Sequence, residues 1–348
     1  MSHQVFLAEP RGFCAGVEMA IKALTWMVRI FEPPVYCYHE IVHNAAVVAA
    51  FERAGVIFVD DVSAVPEGRP VMLSAHGTAP EIVAEAEARS AVTVDAVCPL
   101  VTKVHHEVRR MATDGYDIIY VGHEGHDEAL GTVAEAPDSV HLVDPTVGLS
   151  NFSPDNPAKV ALLAQTTLGL YEWEGILESA SSKYPDLWTA RRSDLCYATT
   201  NRQAAVKELA KKASLILVVG SENSSNTQAL VRVAHLEDVA AYRIDDPSEI
   251  DPSWLEDHAT IGVTSGASAP DQRVQELVAV LSDTMGAEAI RVTDEDEYFP
   301  LPPALRTFIK TLQLLVEGAY ASPQPGRAGR IEHDREWSAT EALDLLAV

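Results

Sequence analysis

A chain of 348 residues, 47% hydrophobic and 22% charged, has the composition of a folded soluble protein and is long enough for two or three domains around sizeable cores. Its formal charge of −25 leaves no basic stripe to neutralise a phosphate backbone, which argues against a nucleic-acid partner. Four cysteines without adjacent pairing make no disulfide framework, no apolar run reaches the length of a membrane span, and the first residues lack a signal-peptide pattern, so a cytoplasmic globular protein with no membrane partner is expected.

In chain order, Val5-Phe6-Leu7-Ala8 reads as a strand that runs into Arg11-Gly12-Phe13-Cys14, and a helical stripe follows through Val17, Ile21, Leu24 and Val28. Strand Val35-Tyr36-Cys37-Tyr38-His39 leads to Glu40-Ile41-Val42-His43-Asn44 and a helix; Val56-Ile57-Phe58-Val59 and Pro70-Val71-Met72-Leu73 are the next strands, the latter stopping at Ser74-Ala75-His76-Gly77. Val92-Thr93-Val94 then enters Cys98, and Pro99 occupies the first helical position, where a missing N–H is tolerated. The stretch from 118 to 195 repeats the plan: strand Ile118-Ile119-Tyr120-Val121, a loop through Gly125-His126 to Glu128, strand Val140-His141-Leu142-Val143, and Val160-Ala161-Leu162-Leu163 stopping at Gln165-Thr166-Thr167. Cys196 opens the third copy, with strands Leu215–Val219, Tyr242–Asp246 and Ile261–Thr264 and the turns Ser224-Ser225-Asn226 and Ser265-Gly266-Ala267-Ser268. After the acidic run Asp294–Glu297 and the proline-rich Phe299–Pro303 come a helical pattern to Leu315, a flexible stretch marked by Pro323, Pro325, Gly326 and Gly329, and a short amphipathic end; residues past about Ser322 are expected to be dispensable for chemistry.

Strands alternating with helices predict an α/β protein of three pseudo-repeated small units with mostly parallel sheets. The expected segments are 1–14 (first strand and first cysteine), 15–97, 98–195, 196–293 and a partly flexible tail 294–348. In parallel sheets ligands gather beyond the carboxyl ends of the strands, and here those ends carry Cys, His, Ser, Thr, Asn or Glu. Cys14, Cys98 and Cys196 each sit where a helix begins, beside unpaired N–H groups that favour a thiolate. Three convergent thiolates suit a metal: with a histidine, a closed zinc site, or, with no fourth protein ligand, a [4Fe–4S] cluster with one open iron. Cys37, inside an apolar strand, is an inert core thiol, and His39, His105, His106 and His123 read as structural or solvated side chains. Ser224, Ser225 and Asn226 fall at a helix N-terminus, a natural place for phosphate, although Ser and Asn there equally serve as caps. Together with His43, His76 and Ser268 at related turns they can hold a diphosphate without a P-loop.

The motifs Arg11–Val17, His39–Asn44, Ser74–Gly77, Cys98–His105, Gly125-His126 with Glu128, Gln165–Leu168, Cys196–Gln203, Asn223–Asn226 and Gly266–Pro270 resemble, in order from about residue 4 to 306, the 4-hydroxy-3-methylbut-2-enyl diphosphate reductases. The resemblance implies the last step of the non-mevalonate isoprenoid pathway and a three-lobed α/β fold around a central iron–sulfur cluster. It implies Cys14, Cys98 and Cys196 as the [4Fe–4S] ligands and His43, His76, Ser224, Ser225, Asn226 and Ser268 as diphosphate ligands. His126, Glu128 and Thr166 would surround the hydroxymethyl end, with Glu128 as the acid, and an electron donor such as ferredoxin or flavodoxin would be the protein partner. The alternatives are a cluster- or zinc-bearing protein that binds a phosphorylated ligand without turnover, a zinc-dependent hydrolase, and a paralogue acting on a different allylic diphosphate. Departures from the family pattern fall at Glu9, Ala45, Asp127 and Leu130, the last two flanking Glu128.

Overall fold

Runs of Val, Ile and Leu that alternate with amphipathic segments fold as parallel strands and the helices between them. The computed structural model describes residues 3–190, 194–282, 286–319 and 331–347. The elements, in order, are β1 (Gln4–Glu9), α1 (Ala15–Ile30), β2 (Val35–Tyr38), α2 (Ala45–Arg53), β3 (Val56–Val59), β4 (Val71–Leu73), α3 (Pro80–Arg89), β5 (Thr93–Asp95) and α4 (Pro99–Thr113). They continue with β6 (Asp117–Val121), α5 (Asp127–Ala134), β7 (Val140–Val143), β8 (Val160–Ala164), α6 (Leu170–Lys183), β9 (Trp188–Thr189), α7 (Tyr197–Ala210), β10 (Leu215–Val219) and α8 (Ser225–Leu236). The chain closes with β11 (Ala240–Ile244), β12 (Thr260–Ser265), α9 (Asp271–Leu281), β13 (Ala287–Arg291), α10 (Pro303–Ala319) and α11 (Ala339–Asp344).

The strands form three all-parallel sheets, in the orders β3-β2-β4-β5, β7-β6-β8-β9 and β11-β10-β12-β1-β13. Every residue of β8 and of β10 is buried, as expected of strands covered by helices on both faces. The three orders express one plan: the first strand of a copy lies between the second and the third, and a fourth lies outside the third. In the third sheet that fourth place is taken by β1, so residues 1–14 complete the sheet built from 196–293. Strand β13, beyond it, escapes the sequence pattern because it is an edge strand with one buried residue, Ile290. Two-residue β9 is too short to show any period.

Two compact units result. The first comprises Met1–Cys14, His43–Ala45 and Leu100–Asp296 and contains the second and third sheets; the other comprises Ala15–Val42, Ala46–Pro99 and Glu297–Val348 and contains the first. Among the described residues no helix is long and apolar enough to cross a membrane.

The stretch marked by Pro323, Pro325, Gly326 and Gly329 lies outside the described residues. Beyond it the chain packs against α1: the Trp337 ring meets Trp26 edge-on, with centroids 6.1 Å apart, and Ala339 and Ala342 are buried. Lys22, 1% exposed on α1, donates from Nζ to the Asp334 carbonyl at 2.8 Å and lies 3.6 Å from Asp334 Oδ1, while Tyr298 Oη donates to Asp334 Oδ2 at 2.5 Å. Removing one partner of a buried pair leaves an uncompensated charge, so Asp334→Ala should cost about 3 kcal/mol of stability, seen as a lower denaturant midpoint. Adding Lys22→Met should recover most of that loss, and a midpoint unmoved by Asp334→Ala would contradict the assignment.

Candidate active site

The three cysteines occupy equivalent turns. Each follows the fourth strand of a sheet, and each donates its amide to a carbonyl in the loop after the third strand: Cys14 to Ala267 at 3.2 Å, Cys98 to Ala75 at 3.0 Å and Cys196 to Thr166 at 3.0 Å. A second bond accompanies the first, made by the residue two before each cysteine with the last residue of that third strand. Ala96 N donates to Leu73 O at 3.1 Å, Gly12 N to Ser265 Oγ at 2.9 Å, and Ala164 N to Asp194 Oδ2 at 3.3 Å. Gly12 has φ +70°, which glycine adopts at no steric cost. Each thiol is thus carried on a turn fixed at two points, and all three are half-buried.

Within the first unit the Cys14 thiol lies near enough to Cys196 to act on its ionisation. Burial, and next the Cys14 thiol, push the Cys196 thiol up to about 11. Its partners are Thr199 N, which donates to Sγ at 3.3 Å, and Thr199 Oγ1 at 3.1 Å. Cys98 belongs to the other unit, on the same kind of turn, with His76 next to its carbonyl partner Ala75. Cys37 lies fully buried in β2, where burial drives its thiol far up.

The carboxyl end of the second sheet holds the titratable groups. Glu128 stands in the first turn of α5, 2% exposed, and its carboxylate turns away from its own helix N-terminus to the loop after β8. Thr166 N donates to Oε1 at 2.6 Å and Thr166 Oγ1 to Oε2 at 3.0 Å. Burial nevertheless pushes the carboxyl up to about 7, with the Asp194 charge adding to the rise. His126 caps α5: its Nδ1 accepts from Glu128 N at 3.1 Å, which leaves the ring proton on Nε2. Burial and the neighbouring His43, whose ring centroid is 5.2 Å away, lower its pKa to about 4, so it is neutral at pH 7. Asp127 reaches back to His43, with Oδ2 3.9 Å from Nε2, whereas Leu130 is 54% exposed.

Around α8 the polar side chains interlock. Ser224 caps the helix, accepting from Thr227 N at 3.3 Å; Ser225 Oγ accepts from Gln165 Nε2 at 3.3 Å; Asn226 Oδ1 accepts from Ala267 N at 3.0 Å while its Nδ2 donates to Thr199 Oγ1 at 3.3 Å. Ser268 Oγ donates to the His43 carbonyl at 2.9 Å, and Asn223 Nδ2 lies 3.4 Å from His43 Nδ1. His43, Ser224, Ser225, Asn226, Ser268, His126, Glu128 and Thr166 therefore share the first unit with Cys14 and Cys196, while His76 and Cys98 lie together in the other.

Residues 5–282 match the model of the LytB protein family. The chain belongs to that family. It is 46% identical over 306 residues to the 4-hydroxy-3-methylbut-2-enyl diphosphate reductase of Streptomyces coelicolor, covering 87% of this chain and 90% of that one. With the reductase of the same name from Mycolicibacterium paratuberculosis it shares 47% over 308 residues, 87% of this chain and 92% of the relative. The solved structure of the E-1-hydroxy-2-methyl-but-2-enyl-4-diphosphate reductase from Plasmodium falciparum superposes with a TM-score of 0.86 at 34% identity, covering 90% of this chain and all of that one. A second solved structure, titled (E)-4-hydroxy-3-methyl-but-2-enyl diphosphate reductase, the terminal enzyme of the non-mevalonate pathway, gives 0.56 at 26% identity over 80% of this chain.

Two side chains of this LytB-family site are not singled out by sequence reasoning. Thr199 touches Cys196 through both its amide and its hydroxyl, and the only trace in the sequence is its place three residues after a helix cap. Gln165, fully buried, accepts from His123 N at 3.0 Å and donates to Thr167 Oγ1 and Ser225 Oγ; a lone Gln at a strand end carries no signal of such bonds.

The raised carboxyl has a consequence for stability. Between the ordinary value of 4.5 and about 7 the folded protein keeps the Glu128 proton that the unfolded chain has released, so this group costs stability as the pH rises through that window. Glu128→Gln removes the cost: its unfolding midpoint should lie close to the parent's near pH 4.5 and above it at pH 8. A parent advantage that persists at pH 8 would show that the carboxyl ionises normally.

Proposed function

We propose that this chain reduces 4-hydroxy-3-methylbut-2-enyl diphosphate to isopentenyl and dimethylallyl diphosphate, taking up two electrons and two protons and releasing water. The observation that carries the reading is the same two-bond turn beneath Cys14, Cys98 and Cys196, inside the span matched by the LytB family, with Thr166 joining the Cys196 turn to the buried Glu128. The donor set fits an iron–sulfur centre. In the first unit the half-buried Cys196 thiol has the Cys14 thiol and the Thr199 hydroxyl and amide as neighbours, an arrangement stabilised by a soft metal. Cys14, Cys98 and Cys196 are the proposed ligands of a [4Fe–4S] cluster. When bound, a cluster held by three thiolates supplies electrons one at a time and an open iron that acts as a Lewis acid toward the substrate's hydroxyl oxygen.

The chain's own residues supply the rest. Glu128, raised to about 7, exchanges its proton near neutral pH, and its bond to Thr166 Oγ1 provides a short path from carboxyl to hydroxyl to the departing oxygen. Neutral His126 offers an Nε2–H toward the same end of the substrate, its ring held by the bond from Glu128 N to Nδ1. The diphosphate falls to His43, His76, Ser224, Ser225, Asn226 and Ser268, with the N-terminus of α8 contributing amides and dipole. In a chain of −25 such local attraction is what an anionic ligand requires. The electrons come from a small carrier protein such as ferredoxin or flavodoxin in the cytoplasm.

Anaerobic protein given a strong small-molecule reductant should convert the substrate to both products. Glu128→Gln keeps the shape and loses the acidic proton, so it should retain its iron while turnover falls by about 10²–10⁴-fold, the usual scale of general-acid catalysis. Turnover by Glu128→Gln within a factor of a few of the parent would assign the proton to another group, and a parent that holds iron but gives no product would contradict the activity.

A further inference from the structure

Resting on the reading of Cys14 and Cys196 as metal ligands, we infer that Lys103 and Arg202 are positioning residues, each a cation on the helix opened by one cysteine that holds the turn carrying the next. Lys103 lies on α4, the helix that Cys98-Pro99 begins, and its Nζ is 3.5 Å from Asp194 Oδ1. Asp194 stands two residues ahead of Cys196, its side chain fully buried, and its other oxygen accepts from Ala164 N. Arg202 lies on α7, which Cys196 caps, and donates from one guanidinium nitrogen to the carbonyl of Gly12 at 2.8 Å, two residues ahead of Cys14. Its other terminal nitrogen donates to Ala198 O at 3.0 Å and to both carboxylate oxygens of Glu295, at 3.0 and 3.2 Å.

The two contacts differ in chemistry, an ion pair and a hydrogen bond to a carbonyl, but reach the same position two residues ahead of a cysteine. In both, the cation reaches the residue that already anchors the cysteine turn to the third strand of its sheet, Asp194 to Ala164 and Gly12 to Ser265. The helix–turn link is therefore passed on from Cys98's helix to the Cys196 turn, and from Cys196's helix to the Cys14 turn. At the corresponding place on α1 the chain has Met19 and Ala20, which offer no cation to the Cys98 turn. A buried guanidinium bonded to a ligand-turn carbonyl, a carbonyl of its own helix and a carboxylate is held rigidly, and so fixes that turn. Partners of this kind, one step behind the ligating atoms, orient metal ligands, and their loss commonly weakens metal retention by about 10–100-fold.

Lys103 is the residue to change, because its side chain is 49% exposed and its removal spares the core, whereas Arg202 is buried within the fold. Lys103→Met and Lys103→Arg are reconstituted with iron and sulfide under the parent's conditions, and iron loss to a chelator is followed by visible absorption. The expected result is loss at least about 10-fold faster in Lys103→Met and parent-like retention in Lys103→Arg, each read well below the melting temperature of that chain's apo-protein. Iron loss from Lys103→Met at the parent rate overturns the inference and leaves the cluster reading standing. So does fast loss that Lys103→Arg fails to restore, since that assigns the effect to packing. A parent chain that takes up no iron overturns the cluster reading and this inference together.

Discussion

The structure depends on one repeated constraint: the amide of each helix-opening cysteine is tied to the loop that ends the third strand of its sheet. A cysteine at a helix start is common and by itself inert. What makes these three alike is that a parallel ladder continues past the last strand residues as two further bonds, one at the cysteine and one two residues earlier. The chain uses one backbone carbonyl, one serine hydroxyl and one aspartate carboxylate for the second bond. The geometry is thus kept while the chemistry varies, which is what equivalent positions under a common geometric demand look like.

The same constraint places the acid. Thr166 gives its carbonyl to Cys196 and its amide and hydroxyl to Glu128, so one residue joins a cysteine turn to the proton donor. Burial alone would leave a carboxyl at such a position protonated well above pH 7, and two donors from Thr166 alone would leave it ionised. Their balance sets Glu128 near the working pH. His126 belongs to the same arrangement: the bond that caps α5 also decides which ring nitrogen carries the proton.

Much of this is legible in the sequence because the repeat is. The β-branched runs mark the parallel strands, and Cys14, Cys98 and Cys196 mark the helix starts. The fourth place of the third sheet is less visible, since β1 fills it from the opposite end of the chain and only tertiary pairing reveals that. Edge strand β13 and two-residue β9 show no period. In the site, residue types at strand ends point to the right turns but not to their bonds: Ser224 serves as the cap of α8, as its type equally allows, and Asn226 spans from Ala267 to Thr199. The departures from the family pattern also become concrete, with Asp127 facing His43, Leu130 directed to solvent and Glu9 between Arg11 and Arg291. The packing of 331–347 on α1 rests on Lys22, a charge inside an otherwise apolar helical face that a periodicity reading passes over.

The central claim is that three equivalent turns present three thiolates to one iron–sulfur centre and leave one iron without a cysteine. Mössbauer spectroscopy of the chain reconstituted anaerobically with ⁵⁷Fe and sulfide measures this directly. The account predicts a four-iron cluster in which one iron is distinct from the other three and changes its parameters when the diphosphate substrate is added. Four equivalent irons indifferent to substrate, a two-iron spectrum, or a colourless protein loaded with zinc would contradict it.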